Sequence, residues 1–162
     1  MSRAIATLFG VGLMRPGPGT WGSLAALPLF WVLHALGGII LALVATLAVI
    51  AAGTAAIRAA TAGSEDKDPG EIVIDEVAGQ WIALLPVSYG AAFAGVPVLA
   101  LWPGWVAAFA LFRLFDIWKP WLVGRADRRG DVWGVMMDDV VAGVFAALGV
   151  VVLGAFWHVV LM

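Results

Sequence analysis

The chain has 162 residues, of which 63% are hydrophobic and 12% charged, about half the charged fraction of an ordinary soluble domain. The net charge of −2 points to no polyanion partner, since a reader of nucleic acid needs a basic face. The absence of Cys removes disulfides, thiolate metal sites and Cys nucleophiles from consideration.

The chain opens with Arg3, an apolar stretch from Ala4 to Met14, and the breaker run Arg15-Pro16-Gly17-Pro18-Gly19. No small-x-small cleavage site follows, so the stretch reads as an amphipathic or re-entrant segment at a membrane surface and not as a leader. An uncharged run from Gly17 to Ile57 comes next. At roughly 20 residues per crossing it is long enough to cross a bilayer and return, with Gly37-Gly38 as the turn. The predicted helices begin near Thr20 to Ser23 and run over 39–62. A charged island from Arg58 to Glu76 contains the turn signature Asp68-Pro69-Gly70, and a third helix is expected near Asp75. The uncharged run from Val77 to Phe112 can also cross and return, with breakers at Pro86, Gly90, Gly95 and Pro97. A fourth helix should open at Pro103-Gly104 and stop before Pro120. After a second island, Arg113 to Asp139, a fifth helix is expected from Asp138 or Asp139 and crosses once.

These runs give an all-α, polytopic membrane protein of about five apolar helices, organised as a single domain over residues 1–162. Each return brings the chain back to the side it left, so all the charged residues fall on one side of the bilayer. His34 and His158 alone lie toward the other. Every Lys and Arg is on the charged side, which the positive-inside rule makes cytoplasmic.

The acids come in a pattern. Asp75-Glu76-Val77-Ala78-Gly79 is echoed by Asp138-Asp139-Val140-Val141-Ala142-Gly143. In each, a carboxylate stands four residues before a Gly, on the same helical face, where a Gly permits close approach of another helix. Acids at a helix start also favour the macrodipole, which is the plain structural account of both pairs. Arg113, Asp116 and Lys119 are spaced i, i+3, i+6, which places Asp116 beside both cations. Alone, that trio reads as an interfacial ion pair. Together with four more acids it points to a site for a hard divalent cation, Mg²⁺, Ca²⁺ or Mn²⁺. Gly17-Pro18-Gly19-Thr20-Trp21-Gly22-Ser23 feeds a helix N-terminus, where free N–H groups suit an anion and Thr20 and Ser23 are good caps. Carboxylates, cations and an anion-friendly helix start at one membrane face fit phosphoryl chemistry on a lipid head group. Both His lie on the wrong side for a nucleophile and no Asp-x-Asp pair stands at a strand end, which leaves metal-assisted attack by water. The competing readings are a small ion-coupled transporter, a non-catalytic scaffold, and a lipid phosphotransferase whose long Asp-Gly…Asp…Asp spacing is missing.

Four segments, in order, resemble phosphatidylglycerophosphatase A: Pro18 to Ser23 (PGTWGS), Asp68 to Gly79 (DPGEIVIDEVAG), Phe112 to Trp121 (FRLFDIWKPW) and Gly134 to Gly143 (GVMMDDVVAG). Asp131 departs from the family's usual small residue, as do Leu122-Val123 from its Pro-Ile. The resemblance implies a Mg²⁺-dependent enzyme of the bacterial inner membrane that converts phosphatidylglycerophosphate to phosphatidylglycerol and inorganic phosphate. On this reading Asp75, Glu76, Asp138 and Asp139 hold the metal. Asp116 is a further ligand or the general base, and Arg113 and Lys119 bind phosphate oxygens. Thr20, Ser23, Asp68 and Glu71 are expected on the substrate side. Arg125, Arg128 and Arg129 are expected to serve anionic lipids, and Trp118, Trp121 and Trp133 the interfacial belt.

Overall fold

Gly37 and Gly38 decide the course of the first half of the chain. In the computed structural model, which describes residues 1–161, Gly38 takes φ 60° and ψ −153°, a conformation open only to a residue without a Cβ. One long helix, α2 (Pro18–Ala60), is thereby broken into two arms. Both ends of α2 lie at the start of α3 (Ile74–Ala94). A Cβ on Gly22 would meet Val73, and one on Gly53 would touch Ile74. The arms therefore run out and back, about 28 and 33 Å at 1.5 Å per residue.

The order along the chain is a short α1 (Ser2–Ala6), a 3₁₀ turn at Val11–Leu13, α2, α3, a second 3₁₀ turn at Val98–Leu101, α4 (Trp102–Trp118), a short α5 (Leu122–Asp127) and α6 (Val132–Phe156). No strand occurs among the described residues. Four helical segments are long and apolar enough to cross a membrane: Pro18–Ala60, Ile74–Ala94, Val98–Trp118 and Val132–Val159. With α2 divided by its glycines, the protein has the five apolar crossings expected of a polytopic helical membrane protein.

The helix α3 is the centre of the bundle and packs against α2, α4 and α6. Its small and polar residues, Ala78, Gly79, Gln80, Ala83 and Ser88, are hidden, while Leu36, Ile40 and Phe93 point outward. That is the arrangement expected where lipid, not water, surrounds the bundle. Pro86 does not break α3, and Gly90 does not end it. The helix continues to Ala94 and stops at Gly95 in the left-handed conformation, because neighbouring helices hold a segment that loses a single backbone bond. The Trp81 indole donates to the Ala26 carbonyl at 2.9 Å and ties α3 to the first arm of α2.

Two sequence expectations about helix starts need correction. The helix α2 begins at Pro18, with Gly17 as N-cap in the left-handed region. Thr20 and Ser23 therefore lie inside the first turns and cap nothing. The helix α6 begins at Val132, where the Asp131 side chain accepts from the Gly134 N–H at 2.7 Å. Asp138 and Asp139 consequently sit in the second turn, out of reach of the terminal dipole. The departing residue Asp131 is itself the cap.

The N-terminal segment folds onto the charged end of the bundle. The Val73 N–H donates to the Ala6 carbonyl at 2.9 Å, Gly12 lies against the Glu71 carbonyl, and Arg3 pairs with Glu71 at 2.6 Å. The side chains of Phe9 and Leu13 remain exposed. Trp118, Trp121 and Trp133 are exposed at the same end.

Candidate active site

Ion pairs join the charged islands at one end of the bundle. Arg113 on α4 reaches Glu76 on α3 at 2.5 Å and Asp116 on its own helix at 2.8 Å, both through Nη1. Ser23 on α2 sits fully buried with its hydroxyl 2.9 Å from Glu76 Oε2, 2.9 Å from the Gly19 carbonyl and 3.4 Å from Arg113 Nη1. Gly19 is required here, since a Cβ would collide with the Glu76 carboxylate. The PGTWGS segment, the first turns of α2, thus brings that helix onto the Glu76 side chain, and Ser23 positions Glu76 instead of facing outward.

The echo between α3 and α6 is a helix crossing. A Cβ on Gly143 would lie 3.0 Å from the Gly79 Cα, and one on Gly79 would lie 2.6 Å from the Asp139 carbonyl and against the Phe112 ring. Backbone-to-backbone contact at these glycines places Asp75 and Asp139, one turn before them, on either side of the crossing. Asp139 interacts electrostatically with Glu76, Asp116, Asp75 and Asp138, so these carboxylates share one region. The tightest group is Glu76, Asp116 and Asp139, each with one oxygen within 4.8 Å of the others.

Lys119 does not stand beside Asp116 as its spacing predicts. It ends α4 in the left-handed region at φ 49°, which swings its ammonium to Asp138 at 2.7 Å and Asp127 at 2.5 Å. Burial works against its charge, but the bonds and charges of Asp127 and Asp138 outweigh that and hold its pKa above the ordinary lysine value. Asp127 was not among the residues singled out from the sequence. Its signal, an acid one short helix after Lys119-Pro120, is visible only once the turn is known.

Asp68 lies at the rim of this region and is exposed to solvent. Partial desolvation raises its pKa first, Asp127, Asp66 and Asp116 add to that, and Lys119 opposes it. A cleft of about 220 Å³ opens beside it, lined by Glu65, Asp66, Lys67, Asp68, Asp127, Gly130 and Val135. Thr20 is half-buried near Gly17. Glu71 is not brought into the group, because it pairs with Arg3 under the N-terminal segment. Arg129 is taken up by Asp131 at 2.9 Å.

What can this arrangement do? Five carboxylates, Asp75, Glu76, Asp116, Asp138 and Asp139, converge at one end of a hydrophobic bundle, and two cations, Arg113 and Lys119, face them. The donor set is oxygen only and could hold a hard divalent cation. Fold and site together define a polytopic helical membrane protein with an acidic, ion-paired site at one face of the bilayer.

Comparison with known sequences gives the family. Residues 4–154 match the family described as phosphatidylglycerophosphatase A, PgpA. The chain is similar to the phosphatidylglycerophosphatase A of Haemophilus influenzae, 39% identical over 145 residues that cover 89% of this chain and 83% of that protein. It is similar to that of Escherichia coli, 36% identical over 156 residues, covering 94% and 83%. A Bacteroides thetaiotaomicron relative, provisionally named a phosphatidylinositol-3-phosphatase, is 40% identical over 146 residues, covering 88% and 86%. No solved structure matches the chain. The chain belongs to the phosphatidylglycerophosphatase A family and is an enzyme, a phosphatase acting on a phosphomonoester.

Proposed function

We propose that this protein hydrolyses phosphatidylglycerophosphate to phosphatidylglycerol and inorganic phosphate, with Mg²⁺ as cofactor, at the cytoplasmic face of a bacterial inner membrane. The observation that carries the reading is the meeting of Glu76, Asp116 and Asp139 from three helices within 4.8 Å, with Arg113 bridging the first two. Three carboxylate oxygens without Cys or His fit a hard divalent ion. Glu76, Asp116 and Asp139 would hold it, with Asp75 and Asp138 adjoining. When bound, such an ion offsets negative charge on the transferring phosphoryl group and acidifies a coordinated water.

The chain's own residues account for the rest. Arg113 presents a guanidinium already oriented by Glu76, Asp116 and Ser23, so it meets the phosphate oxygens without reorganising. Lys119, kept charged by Asp127 and Asp138, supplies a second cation at the mouth of the site. A carboxylate of the group takes the proton of the attacking water as the new P–O bond forms and the bond to the glycerol oxygen breaks. That oxygen leaves with a proton from solvent. The exposed Trp118, Trp121 and Trp133 keep this end of the bundle at head-group depth, so the lipid need not leave its leaflet. Arg125 and Arg128 on the same surface attract anionic lipid. All Lys and Arg stand at the site's end of the helices, which supports the cytoplasmic orientation.

The test is release of inorganic phosphate from phosphatidylglycerophosphate by the purified protein, with and without Mg²⁺. Phosphatidylinositol 3-phosphate serves as the competing substrate, because one relative's name points to it. Full activity in excess chelator would remove the metal from the mechanism, and preference for the inositol lipid would change the substrate.

A further inference from the structure

We propose that Gln80 and the Nε of Arg113 hold an internal water site beneath the carboxylate group, which makes Gln80 a positioning residue for the reaction; this rests on the site reading above. Gln80 lies on α3 with no exposed surface. Neither its Oε1 nor its Nε2 has a hydrogen-bond partner within the protein, and Arg113 Nε is the one other buried side-chain atom of which that holds among the described residues.

These three atoms are not scattered. Gln80 follows Glu76 by four residues, so it shares that residue's face of α3 one turn deeper in the bundle. Arg113 is bonded to Glu76 directly. The unpaired buried side-chain atoms among the described residues thus belong to Arg113 of that ion pair and to the residue one turn deeper than its partner on α3. Native proteins pair their buried polar groups, often through ordered water, and a bundle in lipid has no bulk solvent nearby to do so. An apolar side chain of the same size would suit a helix whose buried residues Val77, Ala78, Trp81 and Leu84 all belong to the hydrophobic core.

The chemistry of the atoms selects the ligand. Oε1 accepts, while Nε2 and Arg113 Nε donate. A cation alone would satisfy only Oε1, and a phosphate alone only the two N–H groups. Water does both. A water held there fixes the inner edge of the Arg113 guanidinium, while Glu76 and Asp116 fix the outer edge through Nη1. The plane of the guanidinium is then set before substrate arrives, a supporting role of the kind that outer partners play around metal sites.

The experiment uses the full-length protein in detergent with phosphatidylglycerophosphate and Mg²⁺, and compares Gln80→Met, Gln80→Asn and Asp139→Asn. Gln80→Met keeps the volume and removes the hydrogen-bonding atoms. It should lower kcat about 10-fold or more with KM little changed and no loss of thermal stability. Gln80→Asn keeps the amide and makes room for the water to follow, and should retain most of the activity. Wild-type kcat in a folded Gln80→Met protein would overturn the proposal, as would a high-resolution structure in which the Gln80 amide bonds only to protein. Ordered water on Gln80 and Arg113 Nε in such a structure would support it, even if the Met variant failed to fold. Asp139→Asn separates the two readings. Full activity there removes the site assignment itself, whereas an inactive Asp139→Asn beside an unimpaired Gln80→Met removes only the role of Gln80.

Discussion

The two acidic turns, Asp75-Glu76 with Gly79 and Asp138-Asp139 with Gly143, look alike in sequence and behave differently in the fold. Both glycines meet at the crossing of α3 and α6. In both pairs the member one turn before the glycine, Asp75 or Asp139, is buried without a direct salt bridge, and the other member takes a cation: Glu76 has Arg113 and Asp138 has Lys119. The order is reversed, however. On α3 the bare carboxylate comes first and on α6 it comes second. The pair on α3 lies in the first helical turn, where the N-terminal dipole favours it, while the pair on α6 begins six residues after Val132 and has no such support. The lesson is that the second pair is sustained by tertiary partners alone, and so depends more on what it binds.

That contrast can be broken by substitution. The largest effect is expected at Asp139, where loss of one oxygen donor should reduce phosphate release about 10²- to 10³-fold in a protein that still elutes as a folded species in detergent. Asp75→Asn should behave alike if the two turns contribute equally. A much milder loss at Asp75 would show that α6 supplies the working carboxylate. Next is Arg113→Lys, which keeps the charge and loses the planar donor set that spans Glu76 and Asp116. It should cost activity at nearly unchanged stability, as read by kcat/KM beside Tm.

Gly143→Ala comes third. Its methyl would press on the Gly79 backbone, with nothing flexible to yield, and overpacking of that kind costs about 1–3 kcal/mol. A thermal melt should show it, and Ala at Gly38 should instead disrupt the α2 turn. The smallest effect is expected at Asp68. Its carboxyl is held above the ordinary range, so folding favours its protonated form. Relative to Asn the native acid is then even at low pH and unfavourable once it ionises. Asp68→Asn should raise Tm slightly at pH 7, and that gain should vanish as the pH falls below the ordinary carboxyl value of about 4.

The sequence by itself determined the class of fold and the composition of the site. Long uncharged runs interrupted by charged islands can be satisfied only by helices that cross lipid, and an even number of crossings between islands puts the charges together. The carboxylates that could gather were legible as well, because acids four residues before glycines signal close helix contact. Tertiary structure alone decided the rest. Asp138 and Asp139 are not at a helix start, because Asp131 caps α6 two turns earlier than the apolar run suggests. Lys119 turns to Asp127 and Asp138 and away from Asp116, because a left-handed residue before Pro120 overrides helical spacing. Ser23 serves Glu76, since α2 approaches α3 through Gly19 and Gly22. Pairwise spacing along one helix carries no information on which other helix a side chain meets. That choice is made by the close packing of glycines at the crossings, and by the need of every buried charge for a partner.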